Sequence, residues 1–124
     1  MLGLVTSTQG PETPGDFFEK LSTSIASGDL TYALERLHPL VLEAFPGDVC
    51  RTELSLRVTP DYKITVNTVR DTAPWEWELP DGRSFDVEAA TTVSIVLPGN
   101  TEPVDGHIVN IDRKYYWFTV CDGR

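Results

Sequence analysis

Two spacings of apolar residues divide this chain. In the first half they recur at helical intervals: Phe17, Phe18, Leu21 and Ile25, then Leu30, Ala33, Leu34 and Leu37. Further on the interval drops to two. Phe85, Val87, Ala89, Thr91, Val93, Ile95 and Leu97 alternate with Asp86, Glu88, Ala90, Thr92 and Ser94, the pattern of a half-buried antiparallel strand. Helices followed by strands predict an α+β domain, with the helices packed on one face of a mainly antiparallel sheet.

Local signals place the breaks. Thr13-Pro14-Gly15-Asp16 reads as a helix start, with Thr13 as cap, Pro14 in the first turn and Asp16 in the capping-box region. Gly28 ends that helix and Asp29 caps the next. Pro39 breaks the second helix after His38, and residues 40–45 form a short apolar turn. Pro46-Gly47-Asp48 stops this turn, and Asp48 caps a third helix over residues 49–56. Strands are predicted over 62–69, 75–79, 85–97, 106–111 and 115–121. Turns at 80–83, 98–100 and 112–114 make the sheet a meander. Residues 1–15 read as a flexible arm, because 6–15 are rich in Thr, Ser, Gly and Pro; the domain proper is 16–124. Both faces of the last strand are apolar: Tyr115, Trp117, Thr119 and Cys121 on one, Tyr116, Phe118 and Val120 on the other. Helices cover only one face. A loop could cover the second, but the favoured reading is a homodimer packed sheet to sheet.

Composition narrows the function. The formal net charge is -9, and Arg113-Lys114 is the only adjacent basic pair. Nucleic acid and anionic membrane surfaces need a basic footprint that is missing here. No apolar run approaches the roughly 20 residues of a membrane span, so no membrane insertion is expected. Residues 1–5 are too short for a signal peptide, and the expectation is a secreted or cell-envelope protein whose signal or anchor is not in this sequence, with a cytoplasmic setting as the alternative. Cys50 and Cys121 are the only cysteines. They form either two buried free thiols or, as the favoured reading, a disulfide joining the third helix to the last strand, which implies an oxidising compartment. Neither lies in a catalytic-thiol motif or a C-x-x-C. No metal set, phosphate loop or cofactor motif is present, so no cofactor is expected.

Several strings resemble the nuclear-transport-factor-2-like (NTF2-like) superfamily, which includes ketosteroid isomerase and SnoaL-type cyclases. The look is closest to its secreted bacterial domains of unknown function. The strings are Phe17-Phe18-Glu19-Lys20-Leu21, Ser27-Gly28-Asp29, Leu37-His38-Pro39, Val49-Cys50-Arg51, Val104-Asp105-Gly106-His107 and the run from Tyr116 to Cys121. The resemblance implies a cone: a strongly curved sheet wrapped around the helices, with a pocket at its open end and frequent dimers. It also implies that the pocket serves either binding or isomerase, hydratase or cyclase chemistry. The isomerase pattern needs an Asp base and a Tyr/Asp oxyanion pair, and neither can be placed on these residues.

The expected ligand is therefore a small apolar molecule, and the expected role a non-enzymatic binding or interaction module. Candidate ligand contacts are Tyr32, Trp77, Thr91, His107 and Trp117; Trp75 is also expected to face inward. His107 is the one proton-transfer candidate if the pocket is catalytic. Each has a plainer reading: core packing for the tryptophans and Tyr32, a bond to a neighbour for Thr91, a structural hydrogen bond for His107. Glu76 and Glu78 share a face opposite the tryptophans and are expected to be solvated, as is Asp86.

Overall fold

A computed structural model describes residues 12–46 and 48–121. Its elements run α1 (Pro14–Ser27), α2 (Thr31–Glu35), α3 (Pro39–Ala44), α4 (Val49–Ser55), β1 (Thr65–Glu78), β2 (Ser84–Val96), β3 (Val104–Ile111) and β4 (Lys114–Trp117). The order is α+β as read from the spacing. α1 starts where its capping signals place it: the Thr13 hydroxyl accepts the Asp16 N–H at 3.1 Å, and Gly28 closes the helix at φ 84°. The apolar stripe Phe17, Phe18, Leu21 and Ile25 is buried. The expected turn at 40–45 is instead a six-residue helix. His38 caps it by accepting the Leu40 N–H on Nδ1, and Pro39 occupies its first turn.

The four strands form one antiparallel sheet in the order β1-β2-β3-β4. The expected strands over 62–69 and 75–79 are a single strand, β1. Nothing between them forces a turn, and Pro74 is tolerated because β1 is an edge. Three irregularities interrupt the β1–β2 pairing, the first between Val66 and Thr68, and the other two change which residues of the outer hairpin face which way. Val69 and Thr72 pair with Val93 and Thr91, so β1 carries an extra residue there; Ala73 and Trp75 pair with Ala90 and Val87, so the extra residue is on β2. The predicted stripe is therefore broken. Ala89 is exposed, while Ala90 is buried. Thr91, Val93 and Ile95 face the helices together with Ile108 and Trp117, whereas Phe85 and Val87 face the other way with Trp75 and Trp77.

The aromatic residues on that side join the same core cluster. Trp75 stacks on His107 at 4.0 Å and meets Phe118 edge-on at 5.1 Å; Trp77 packs on Phe118 at 5.1 Å; His38 stacks on Phe118 at 4.5 Å. These contacts need the outer part of the β1–β2 hairpin to fold back across β3 and the end of β4. Arg83 at the hairpin tip donates to the Ala44 carbonyl and lies over the Phe45 ring, tying the tip to α3. Phe118, on the apolar second face behind the expected homodimer, is thus packed against the chain's own aromatic rings and partly buried.

The last strand also stops early, at Trp117 rather than Cys121. Trp117 donates its N–H to the Arg36 carbonyl and accepts from the His38 N–H, so residues 36–38 run along the far side of β4. Past this point the polar groups of Thr119 and Val120 accept from Arg57. Cys121 is drawn to α4 by a disulfide to Cys50. This bridge, the favoured cysteine reading, closes a long loop; the chain-entropy account values such a loop at roughly 4 kcal/mol. The expected arm enters the described residues only at 12–15, which are built into the fold. Residues 1–11 lie outside the described residues.

Candidate functional site

The chain's path past β4 opens a cleft. The β3–β4 ladder ends at Ile108 and Trp117, and α4 holds the following residues away from β3. The opening has a volume of about 260 Å³. Phe18 of α1, Ile64, Ile95, Leu97 and Ile108 form apolar walls, and Arg57, Tyr62 and Thr119 line the opening as well.

The charged part of the cleft comes from Glu53 of α4 and Arg57 in the turn just beyond that helix. Glu53 and Arg57 lie one helical turn apart, and Glu53 Oε2 accepts from Arg57 Nε and Nη2 at 3.1 and 2.9 Å. Nη2 also donates to the Thr119 hydroxyl at 2.9 Å. The cation is therefore held and neutralised before any ligand arrives. Glu53 Oε1 is buried without a hydrogen-bond partner among the described residues. Burial pushes the Tyr62 hydroxyl above its ordinary pKa, and the adjacent Arg57 pulls it partly back. Tyr62 is thus a protonated donor across the physiological range.

The five expected ligand contacts do not converge. Trp117 borders the cleft, but its indole N–H donates to the Ala33 carbonyl at 2.9 Å. His107 borders it too, but its pairing with Thr92 puts its imidazole on the face opposite Ile108, where the ring stacks on Trp75. Burial holds that imidazole below its ordinary pKa; Asp105 pulls it up and Arg70 pushes it down. Asp105 likewise borders the cleft while its carboxylate pairs with Arg70 at 2.9 Å. Trp77 is buried between Phe85 and Phe118. Thr91 shares a 2.7 Å hydrogen bond with Thr72 across the β1–β2 ladder, the plainer of its two readings. Tyr32 stands by a wider groove of about 540 Å³ between α1 and α2. Its hydroxyl donates to Glu12 at 2.7 Å and receives Arg36 at 3.1 Å. Burial and Glu12 both raise its pKa, which keeps it protonated. Glu76, Glu78 and Asp86 are exposed, as expected.

Arg57, Tyr62 and Phe18 are the site residues that sequence reasoning missed. The Glu53/Arg57 spacing on a short helix was a signal. Tyr62 was hidden by its assignment to a strand; it lies in the turn before β1. No group of three metal-ligating side chains converges among the described residues, and no helix there is long and apolar enough to cross a membrane. No family model, curated protein or solved structure matches the chain.

Proposed function

We propose that this protein is a non-enzymatic binding module whose site is the cleft between β3 and the segment after β4. One observation carries the reading: a small cavity lined mainly by apolar side chains, with a few polar groups among them. Sites for small molecules have this composition. Proton-transfer chemistry would need two titratable side chains aimed at one ligand. The Asp105 carboxylate is paired with Arg70 and the His107 ring is stacked on Trp75, which leaves Tyr62 beside a neutralised Arg57. Isomerase, hydratase or cyclase activity, with His107 as the acid/base, is the second reading, and the stacking of His107 on Trp75 weighs against it.

Helices followed by one antiparallel four-stranded sheet are the coarse features that keep the NTF2-like cone as a proposal. The homodimer keeps no observation to carry it, since Phe118 packs against the chain's own rings. The disulfide supports an oxidising setting, in keeping with a secreted or envelope protein.

The test is native mass spectrometry on protein taken from cells without denaturation, beside a Leu97→Trp variant. Leu97 lines the cleft and is only partly buried, so the larger ring can fill the space without entering the centre of the core. An extra mass on the natural chain that the variant lacks is the expected result. An extra mass retained by Leu97→Trp would place the ligand elsewhere. Apo masses for both, with no melting shift on adding small aromatic compounds, would end the proposal.

A further inference from the structure

Strand β4 covers only half of β3. Their ladder runs from Ile111↔Lys114 to Ile108↔Trp117, while β3 begins at Val104. Among the described residues no strand lies beside 104–107 on that side.

The pairing fixes where the backbone groups point. Trp117 turns its N–H and C=O toward Arg36 and His38, away from β3. In an antiparallel ladder, residues that exchange hydrogen bonds alternate with those that do not. Ile108, opposite Trp117, thus directs its groups at β2, and the residues of the other phase, His107 and Asp105, direct theirs at the cleft. Asp105 pairs with Ser94 of β2 but stands beyond the last β3–β4 bridge and borders the cleft, toward which this phase directs its N–H and C=O. Gly106 beside it has no side chain, and a Cβ there would meet Ile95 Cδ1 at 2.9 Å.

An N–H and a C=O on one residue of a strand edge are matched by a second extended residue, which presents the same two groups in return. The wall of Phe18, Ile64 and Ile95 suits an apolar side chain. Size limits the length: about 260 Å³ exceeds the roughly 150 Å³ that takes benzene and falls just below the roughly 300–1,000 Å³ of drug-sized sites. Charge limits the ends: Glu53 already neutralises Arg57, so Arg57 is no unpaired cation for a free carboxylate. We infer that the cleft takes a small neutral peptide-like amide, a single apolar residue in extended form with both ends blocked, hydrogen-bonded to the Asp105 backbone. This rests on reading the cleft as the binding site.

The test compares N-acetyl-leucinamide with its depsi analogue, in which an ester oxygen replaces the residue's N–H, and with toluene, by titration calorimetry on the full chain. The amide should bind roughly tenfold or more tightly than the depsi analogue, because the Asp105 carbonyl loses its donor. Asp105→Pro should weaken the amide and the depsi analogue alike, since proline lacks the N–H that either ligand's carbonyl accepts, and should leave their ratio, which reads the residue-105 carbonyl, unchanged; Asp105→Ala should keep both affinities. Equal binding of amide and ester overturns the inference. Binding of toluene alone also overturns it and leaves the site reading standing, whereas no binding by any of the three removes both. Tighter binding of N-acetyl-Ala-Leu-Ala-amide would overturn the size limit and put the amide within a protein strand.

Discussion

Glu12 shows how much one side chain can organise. Its carboxylate accepts from the Arg36 guanidinium at 2.7 Å, the Tyr32 hydroxyl at 2.7 Å and the Tyr115 backbone N–H at 3.0 Å, joining the start of α1 to α2 and β4. Burial raises its pKa, but the bonds from Tyr115, Tyr32 and Arg36 outweigh this and hold it below the usual carboxylate range. Its folded pKa is thus depressed, so its stabilisation is present above the unfolded-state pKa and is lost as pH falls through the folded one. Glu12→Ala should cost about 1–3 kcal/mol in urea unfolding at pH 7, because it strands the Arg36 and Tyr115 donors; an unchanged midpoint would show that the cluster contributes nothing net. None of this was legible in the sequence. Glu12 stands in a stretch whose Thr, Ser, Gly and Pro read as an arm, and its partners lie 20 to 103 positions away. Thr91 was half legible: its place on the buried stripe followed from alternation, but Thr72 as its partner depends on a bulge that alternation cannot show.

Among the elements, α1 was the most legible, because its cap, its stripe and its terminal glycine all act locally. α3 was the least, because six residues give too little periodicity to read, and its cap is a histidine rather than one of the usual Ser, Thr, Asp or Asn. That histidine makes the helix pH-sensitive. His38 Nδ1 can accept the Leu40 N–H only when unprotonated. Burial against Phe118 lowers its pKa. A base with a depressed folded pKa stabilises the fold above its unfolded value, near 6.5, and loses that contribution as pH drops through the folded one. Stability should therefore be level from pH 8 to about 7 and decline below about 6.5. His38→Asn keeps a capping acceptor that does not titrate, and should lessen the loss between pH 7 and 5 by about 1 kcal/mol, the size of one cap. His107 is depressed by the same cause, so a smaller decline remains in the variant. Parallel pH profiles for the two proteins would remove His38 from the account.

Over the whole molecule, the α+β class was readable because helical and strand periods occupy separate stretches, whereas the wrapping of the sheet was not. Alternation assigns each strand two faces and assumes they persist; the bulges exchange them midway, so Trp75 and Trp77 end on the face opposite Val93 and Ile95. The same exchange decides what covers Phe118. A chain that left Phe118 bare would need a second copy over it, but here Trp75, Trp77 and His38 pack against it. The two accounts predict opposite results for Phe118→Glu. If a partner covers the residue, the variant becomes a well-folded monomer at half the natural mass. If the hairpin covers it, the carboxylate is placed among three aromatic rings, and desolvating it without a paired cation costs stability within the subunit. The second outcome is expected: an unchanged particle mass in sedimentation, with unfolding easier by about 1–3 kcal/mol, less than the loss of a fully buried Phe because Phe118 is only partly buried. Its amide exchange should rise first in 75–87, the part of the hairpin that Phe118 anchors. A monomer of undiminished stability derived from a natural dimer would show instead that this face belongs to the assembly, and that the hairpin is its rim rather than its cover.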